Sequence, residues 1–219
     1  AAWLSLQVHP NDEQARRLEG PNYSGKTEAW HVIEAEPEAQ IIAGFRPGIE
    51  PEKIRGAIQQ GNIVDYTQYL PVKAGETLFI RPGTIHSIGP ELLLYEVQQN
   101  SNLTYRVYDW GRPQTGTRVL HIEKSLEVVN PELHPEMIPL PELHDGSQAT
   151  LCSVPYFTLK MLLAQEQALC LDTLRQSFHA LTVLEQSAII TTSGGSRVLE
   201  RFETALIPAA CGEYEVKAR

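Results

Sequence analysis

Apolar and polar residues alternate with a period of two along many short stretches of this chain, and the alternation begins almost at once. In "LSLQVHP", Leu4, Leu6 and Val8 alternate with Ser5, Gln7 and His9. A strand puts these sets on opposite faces, so Gln7 and His9 project together. "KTEAWHVIEA" repeats the pattern, with Lys26, Glu28, Trp30 and Val32 on one face. "AQIIAGF", "ETLFI", "IHSIG", "ELLLYEVQQ" and "TYRVYDW" read as further strands, with "RPGIEP", Gly75 and "RPGT" as turns. Helical signals interrupt them. "NDEQARRLEG" offers Asn11 or Asp12 as a cap, acidic residues at its start, Arg16 and Arg17 near its end and Gly20 as a stop. Pro51 suits the first position of a helix over "EKIRGAIQQ", closed by Gly61. A second short helix over "NIVDYTQYL" would complete a small helical insertion between strands.

From His121 to Pro155 the pattern changes. Pro131, Pro135, Pro139 and Pro141 predict an extended connector without regular structure. Beyond it, "YFTLKMLLA", "FHALTVLEQ", "SAIITTS", "SRVLERF" and "TALIPAA" read as short strands. Many short strands between turns predict a mainly β protein, a sandwich or jelly roll rather than a parallel α/β sheet. An internal echo refines this. "GETLFIRPGTIHSIG" resembles "FETALIPAACGEYEV", each a strand, a proline-containing turn and a strand, but the later copy lacks a counterpart of His86. The expected organisation is two related jelly-roll β units: 1–120 with the chemistry and the helical insertion, a connector at 121–150, and a second, metal-free unit at 151–219.

Composition narrows the function classes. At 219 residues, with 42% hydrophobic and 21% charged positions, the chain can bury a core and is not a disordered polymer. A net charge of -9 argues against nucleic acid as a partner and leaves room for a small anionic substrate held by local cations. No apolar run approaches the ~20 residues that span a bilayer, so no membrane partner is expected. Cys152, Cys170 and Cys211 are odd in number and lack metal-type spacing, which fits free thiols in a reducing, cytoplasmic setting. No charged segment leads into an apolar core at the start, so no signal peptide is read. The chain has no initiator methionine and starts inside a strand, which predicts a processed or truncated N-terminus.

Four residues on three elements could carry chemistry. His9, Glu28 and His86 can supply two imidazoles and a carboxylate to a divalent ion, and Gln7 would add a neutral oxygen. Glutamine is no usual zinc ligand, and a strand histidine beside a glutamine is more often a satisfied core histidine and a surface amide. His86 shifts the balance, because Gly75, a strand and Pro82-Gly83 lead to it. This Gly…Pro-Gly-x-x-His arrangement resembles the second motif of the cupins, in which a tight turn aims a histidine into a β barrel.

Read together, "LSLQVHPNDEQA", "GKTEAWHVI", "VKAGETLFIRPGTIHSIG", "LLLYEVQQNSNLTYRVYDWGR" and "YFTLKMLL" closely resemble successive segments of class I mannose-6-phosphate isomerase. The likeness is to its shorter bacterial form with two cupin-like halves, and is strongest from Leu4 to Arg112. The resemblance implies one zinc ion per chain, held by Gln7, His9, Glu28 and His86. Ser87 stands where the family has alanine, and Ser101-Asn102 where it often has Ser-Asp; neither is an implied ligand. Family members carry a substantial segment before Q-V-H-P that the start of this chain lacks, which again predicts a missing N-terminal portion.

The implied reaction interconverts mannose 6-phosphate and fructose 6-phosphate by proton transfer through an enediol intermediate. It needs an electrophile, a base near neutral pKa and a phosphate clamp. Lys26 shares the inward face with Glu28 and is a candidate acid–base group, with a solvated loop lysine as the rival reading. Glu96, on the face of Leu92, Leu94 and Gln98, is a candidate base; a structural ion pair with Arg106 is its rival. Arg106 matches the family's active-site arginine, and Arg112 is a second candidate for the substrate phosphate, although arginines near aspartate more often make surface ion pairs. His31, His121, His134, His144 and His179 fit no ligand pattern. Two other readings remain: another cupin metal reaction, such as an iron oxygenase, and a non-catalytic sugar- or metal-binding cupin module. The partner in the main reading is a small sugar phosphate; the sequence fixes no oligomeric state.

Overall fold

The computed structural model describes residues 2–116 and 118–219. Its regular elements are β1 (Leu6–Val8), α1 (Asp12–Glu19), β2 (Glu28–Ala35), β3 (Gln40–Phe45), α2 (Pro51–Gln60), β4 (Thr67–Pro71), β5 (Thr77–Ile80), β6 (His86–Ile88), β7 (Leu92–Gln98), β8 (Tyr105–Tyr108), α3 (Ile122–Val128), β9 (Glu136–Ile138) and β10 (Ser147–Val154). They continue with β11 (Phe157–Leu163), β12 (Leu169–Asp172), β13 (His179–Thr182), β14 (Ser187–Thr192), β15 (Gly195–Glu200), β16 (Thr204–Ile207) and β17 (Glu213–Ala218). The fold is mainly β, as the alternation predicts, and cupin-like, as the motif around His86 implies.

Two compact units are formed, one by the chain up to Leu140 with Cys152–Leu159, the other by Pro141–Leu151 with Lys160–Arg219. The first contains two antiparallel sheets, in the orders β4-β3-β6-β1-β8 and β7-β2-β5-β9. The five-stranded sheet is covered on both faces. Leu6 and Val8 join Ile54, Ala57 and Ile58 of α2 and Val128 of α3 in one apolar cluster. Ile41 and Ala43, on the other face, pack with Trp30, Val32, Leu78 and Ile80 of the four-stranded sheet. Each fully buried leucine, isoleucine or valine side chain contributes about 1.5–3 kcal/mol. The first face holds the helices, and the second forms the interior of the β unit, toward which Gln7 points.

The helices end as their sequences dictate. Asn11 and Gln14 form a capping box at α1, the Asn11 side chain accepting from Gln14 N at 2.8 Å and the Gln14 side chain from Asn11 N at 3.0 Å. Pro51 starts α2, and Gly61 ends it in the left-handed conformation, φ 75°. The helix expected over "NIVDYTQYL" is only a 3-10 turn at Ile63–Tyr66, and Thr67–Pro71 is strand β4 paired to β3. Thr67 and Tyr69 favour the sheet, and edge pairing there overrides the helical spacing.

The segment expected to be an irregular connector contains α3 and β9, because its prolines flank these elements instead of interrupting them. Residues up to Leu140 lie in the first unit, beyond the expected boundary at 120. In the second unit the sheets run β12-β17-β14-β15 and β13-β16. Each echo segment forms two strands in different sheets, β5 and β6 in the first unit and β16 and β17 in the second. No helix among the described residues is long and apolar enough to cross a membrane.

Candidate metal centre and active site

Strand register aligns the first pieces of the site. Gln7 pairs with His86 on one side and Arg106 on the other, so β6, β1 and β8 present these three side chains in a row on one face. The neighbours Leu6, Val8, Ile85, Tyr105 and Val107 belong to the helix-side core, so the row faces the interior. His9 follows β1 directly. From the opposing sheet, Glu28 opens β2, opposite Ile80 and Gln98, and Trp30 pairs with Glu96. Two sheets thus converge on one spot.

The Pro82-Gly83 turn is fastened to that spot. Gly83 adopts φ 89°, a region that favours glycine. Its N–H donates to the His9 carbonyl at 2.8 Å, while its own carbonyl accepts from Asn130 N at 2.9 Å. The turn therefore carries His86 back beside His9, with ring centroids 4.8 Å apart.

His9, Glu28 and His86 are buried, and each offers a ligand atom within 4.8 Å of the others. His9 Nε2 lies 3.4 Å from Glu28 Oε1, and His86 Nε2 lies 3.4 Å from Glu28 Oε2. The outer nitrogens settle the tautomers. His9 Nδ1 donates to the Leu103 carbonyl at 2.7 Å and His86 Nδ1 to the Thr84 carbonyl at 2.8 Å. A carbonyl only accepts, so the proton of each neutral ring sits on Nδ1 and a lone pair on Nε2 faces inward. The Gln7 amide nitrogen lies 3.3 Å from His86 Nε2; a half-turn of the amide presents its oxygen at that position instead.

Electrostatics favour a cation. Burial works to raise the Glu28 carboxyl, but its close contacts with His9, His86 and Lys26 outweigh it and hold the group below its ordinary value. Burial pushes His86 down to about 4, which leaves it neutral at neutral pH. His9 Nε2 and Glu28 Oε2 are buried without a hydrogen-bond partner among the described residues, whereas Glu28 Oε1 meets the Lys26 ammonium. Such orphaned acceptors are costly unless something electropositive satisfies them. Two imidazole lone pairs, a carboxylate and an amide fit a divalent ion such as zinc.

Lys26 is buried in ion-pair contact with Glu28 Oε1, and its Nζ lies 3.7 Å from Glu96 Oε1. Glu96 is about one-third open to solvent, 31%, so it stands at the mouth of the site. Burial and the Glu28 charge push its carboxyl up to about 7. The ion pair observed for Glu96 is with Lys26; the alternative weighed from sequence named Arg106.

No protein-family model matches the chain. Mannose-6-phosphate isomerase ManA of Bacillus subtilis is 31% identical over 219 residues, 98% of this chain and 68% of that protein. The chain belongs to the mannose-6-phosphate isomerase family. The mannose-6-phosphate isomerase of Streptococcus mutans is 39% identical over 160 residues, which cover 72% of this chain and 50% of that protein. The crystal structure of the Bacillus subtilis mannose 6-phosphate isomerase superposes with a TM-score of 0.84 at 25% identity, covering 99% of this chain and 69% of that one. A variant of phosphomannose isomerase from Salmonella typhimurium shares the fold, with a TM-score of 0.78 at 14% identity and coverage of 99% and 73%.

Against this family background, the remaining candidates separate. Arg106 lies in the row with Gln7 and His86, half-buried, and its Nη1 donates to the Val119 carbonyl at 3.2 Å. His121 brackets it, its Nδ1 accepting from Arg106 N at 3.2 Å and its own N–H donating to the Arg106 carbonyl at 2.9 Å. Arg112 is engaged elsewhere: its Nη2 meets Asp109 Oδ1 at 2.5 Å, and Arg118 holds the same carboxylate at 2.7 Å. Burial works to raise Asp109, but the two guanidiniums outweigh it and hold the group below its usual range. His31 is buried, bonded to Thr77 Oγ1 at 2.9 Å and pushed down by burial. The carbonyls of Leu103 and Thr84, which fix both histidines, have no side-chain signature that sequence could have revealed.

Proposed function

We propose that the chain is a zinc-dependent aldose–ketose isomerase that interconverts mannose 6-phosphate and fructose 6-phosphate. The observation that carries this reading is the convergence of His9 Nε2, His86 Nε2 and the buried Glu28 carboxylate in a chain of this family. Gln7, His9, Glu28 and His86 would hold one ion. When bound, it supplies a Lewis acid that polarises the sugar oxygens.

The rest is work for side chains. Glu96, raised to about 7, divides between its two protonation states near neutral pH, as a proton carrier should. It takes the proton from C2 of the open-chain aldose and returns it to C1. The electron pair from the C2–H bond forms the enediol double bond. Lys26, between Glu28 and Glu96, holds the charge developing on the sugar oxygens and passes the hydroxyl proton from O2 to O1. Arg106 offers a guanidinium to the phosphate or to enediolate charge. Arg112 reaches a phosphate only by releasing Asp109, so Arg106 is the stronger choice. Three free thiols fit a cytoplasmic enzyme.

The test is metal analysis coupled to an isomerase assay. The purified chain should carry about one zinc ion, convert mannose 6-phosphate to fructose 6-phosphate, and lose that conversion to a chelator. His86→Ala should abolish both metal retention and turnover. Full turnover in the metal-stripped protein would overturn the zinc assignment. Calorimetric binding of mannose 6-phosphate without turnover in the zinc-loaded protein would replace the enzyme by a non-catalytic binding module.

A further inference from the structure

Asp12 was a candidate helix cap, but Asn11 takes that role and leaves the Asp12 carboxylate for other partners. Its Oδ1 accepts from Gly25 N at 2.8 Å and from Gln99 Nε2 at 2.8 Å, and its Oδ2 accepts from Tyr156 Oη at 2.7 Å. Gly25 and Gln99 each stand beside a different piece of the site. Gly25 precedes Lys26, whose N–H donates to the Pro10 carbonyl at 3.0 Å. Gln99 N donates to the Thr27 carbonyl at 2.8 Å, one residue before Glu28. Gln99 also begins the turn that runs to Leu103, the carbonyl that fixes the His9 tautomer. The same turn is fastened to the Lys26 segment a second time, by Ser101 Oγ on the Ser24 carbonyl at 2.8 Å.

The backbones meet closely here. A Cβ on Gly25 would lie 2.5 Å from Asn11 C, 2.6 Å from Asp12 N and 2.7 Å from Pro10 O. The segment after His9 is thus pressed against the segment before Glu28, and a single carboxylate closes the seam.

We propose that Asp12 is a positioning residue of the metal site: its carboxylate joins the His9, Lys26–Glu28 and Gln99–Leu103 segments and so sets the distances among His9, Glu28 and Lys26. Asp12 touches none of the ligand atoms in this scheme and acts through the backbone of Gly25 and the side chain of Gln99. The role in turnover rests on the isomerase reading above, whereas the role in metal affinity does not. Outer partners of metal ligands typically change affinity or activity ~10–100-fold when removed.

The test compares Asp12→Ala, Asp12→Asn and Tyr156→Phe in the full chain. Zinc affinity is read by chelator competition, kcat and KM by the mannose 6-phosphate assay, and folding by thermal melting. Asp12→Ala should lower zinc affinity and kcat by ~10-fold or more while KM stays within ~3-fold. Asp12→Asn keeps one oxygen for Gly25 and Gln99 and should recover most of both. Tyr156→Phe, which spares Oδ1, should change each by less than Asp12→Ala. Wild-type zinc affinity in Asp12→Ala overturns the proposal. So does an Asp12→Asn protein that melts like wild type yet loses as much zinc affinity as the alanine variant. If Asp12→Ala fails to fold, the asparagine variant decides: near wild-type zinc affinity supports the proposal, and a loss of ~10-fold or more overturns it. If the wild-type chain binds zinc but turns over no sugar, the isomerase reading falls, and the affinity comparison still decides the role of Asp12.

Discussion

Gln7 shows what a single residue can and cannot reveal. The alternation in "LSLQVHP" places it opposite the leucines, and the structure keeps that facing, with Leu6 and Val8 in the helix-side core. Its partners across the sheet, His86 and Arg106, were not legible, because register joins residues separated by about eighty and a hundred positions. Glu96 was legible as a carboxylate among leucines, but its pairing with Lys26 depends on how two strand ends meet. That pairing has a consequence. Glu96→Gln keeps the shape of the group and removes its ability to carry a proton, so kcat should fall by ~10²–10⁴-fold while zinc content stays at the wild-type level. Stopped assays beside metal analysis check it. Unchanged kcat would remove Glu96 from the proton path, and lost zinc would make it part of the metal's support.

Elements were most legible where local chemistry sets their ends. The Asn11–Gln14 capping box and Gly20 bound α1, and Pro51 and Gly61 bound α2, all from side chains within the element or next to it. β4, α3 and β9 were misjudged because pairing or packing with distant residues decides them. Thr67–Pro71 is strand because β3 lies beside it, and β9 exists because β5 accepts it. The contact between the segment after β1 and the segment before β2 was also hidden, since a lone glycine in "YSGKTE" reads as an ordinary turn. Gly25 is instead required by close approach, and a methyl group there must displace backbone. Gly25→Ala should cost about 1–3 kcal/mol of stability and weaken zinc binding at the same time. Urea titration of the metal-free protein checks the first effect and chelator competition the second. A variant with unchanged midpoint and affinity would show that the two segments separate without cost.

At the scale of the molecule, every residue assigned a part in the site belongs to the first compact unit. The second unit has its own apolar cluster around Ile190, Ile207 and Tyr214. It also has a local anchor, Asp145, whose carboxylate accepts from the backbone N–H groups of Gln165, Glu166 and Gln167 at 2.6, 3.0 and 2.9 Å. Zinc that binds only the folded first unit stabilises that unit by RT ln(1 + [L]/Kd), about 2.7 kcal/mol at a hundredfold excess over Kd. The apolar cluster of the second unit includes none of the residues assigned to that site. Without the ion, the first unit must keep the His9 lone pair and Glu28 Oε2 buried and without a hydrogen-bond partner. Calorimetric scans should therefore show two transitions, of which zinc raises one by several degrees and leaves the other in place. Limited proteolysis of the stripped protein should cut first between β1 and β9, and zinc should suppress those cuts. Equal displacement of all unfolding by zinc would show instead that the two units unfold as one cooperative body, and that the metal site stabilises the entire chain.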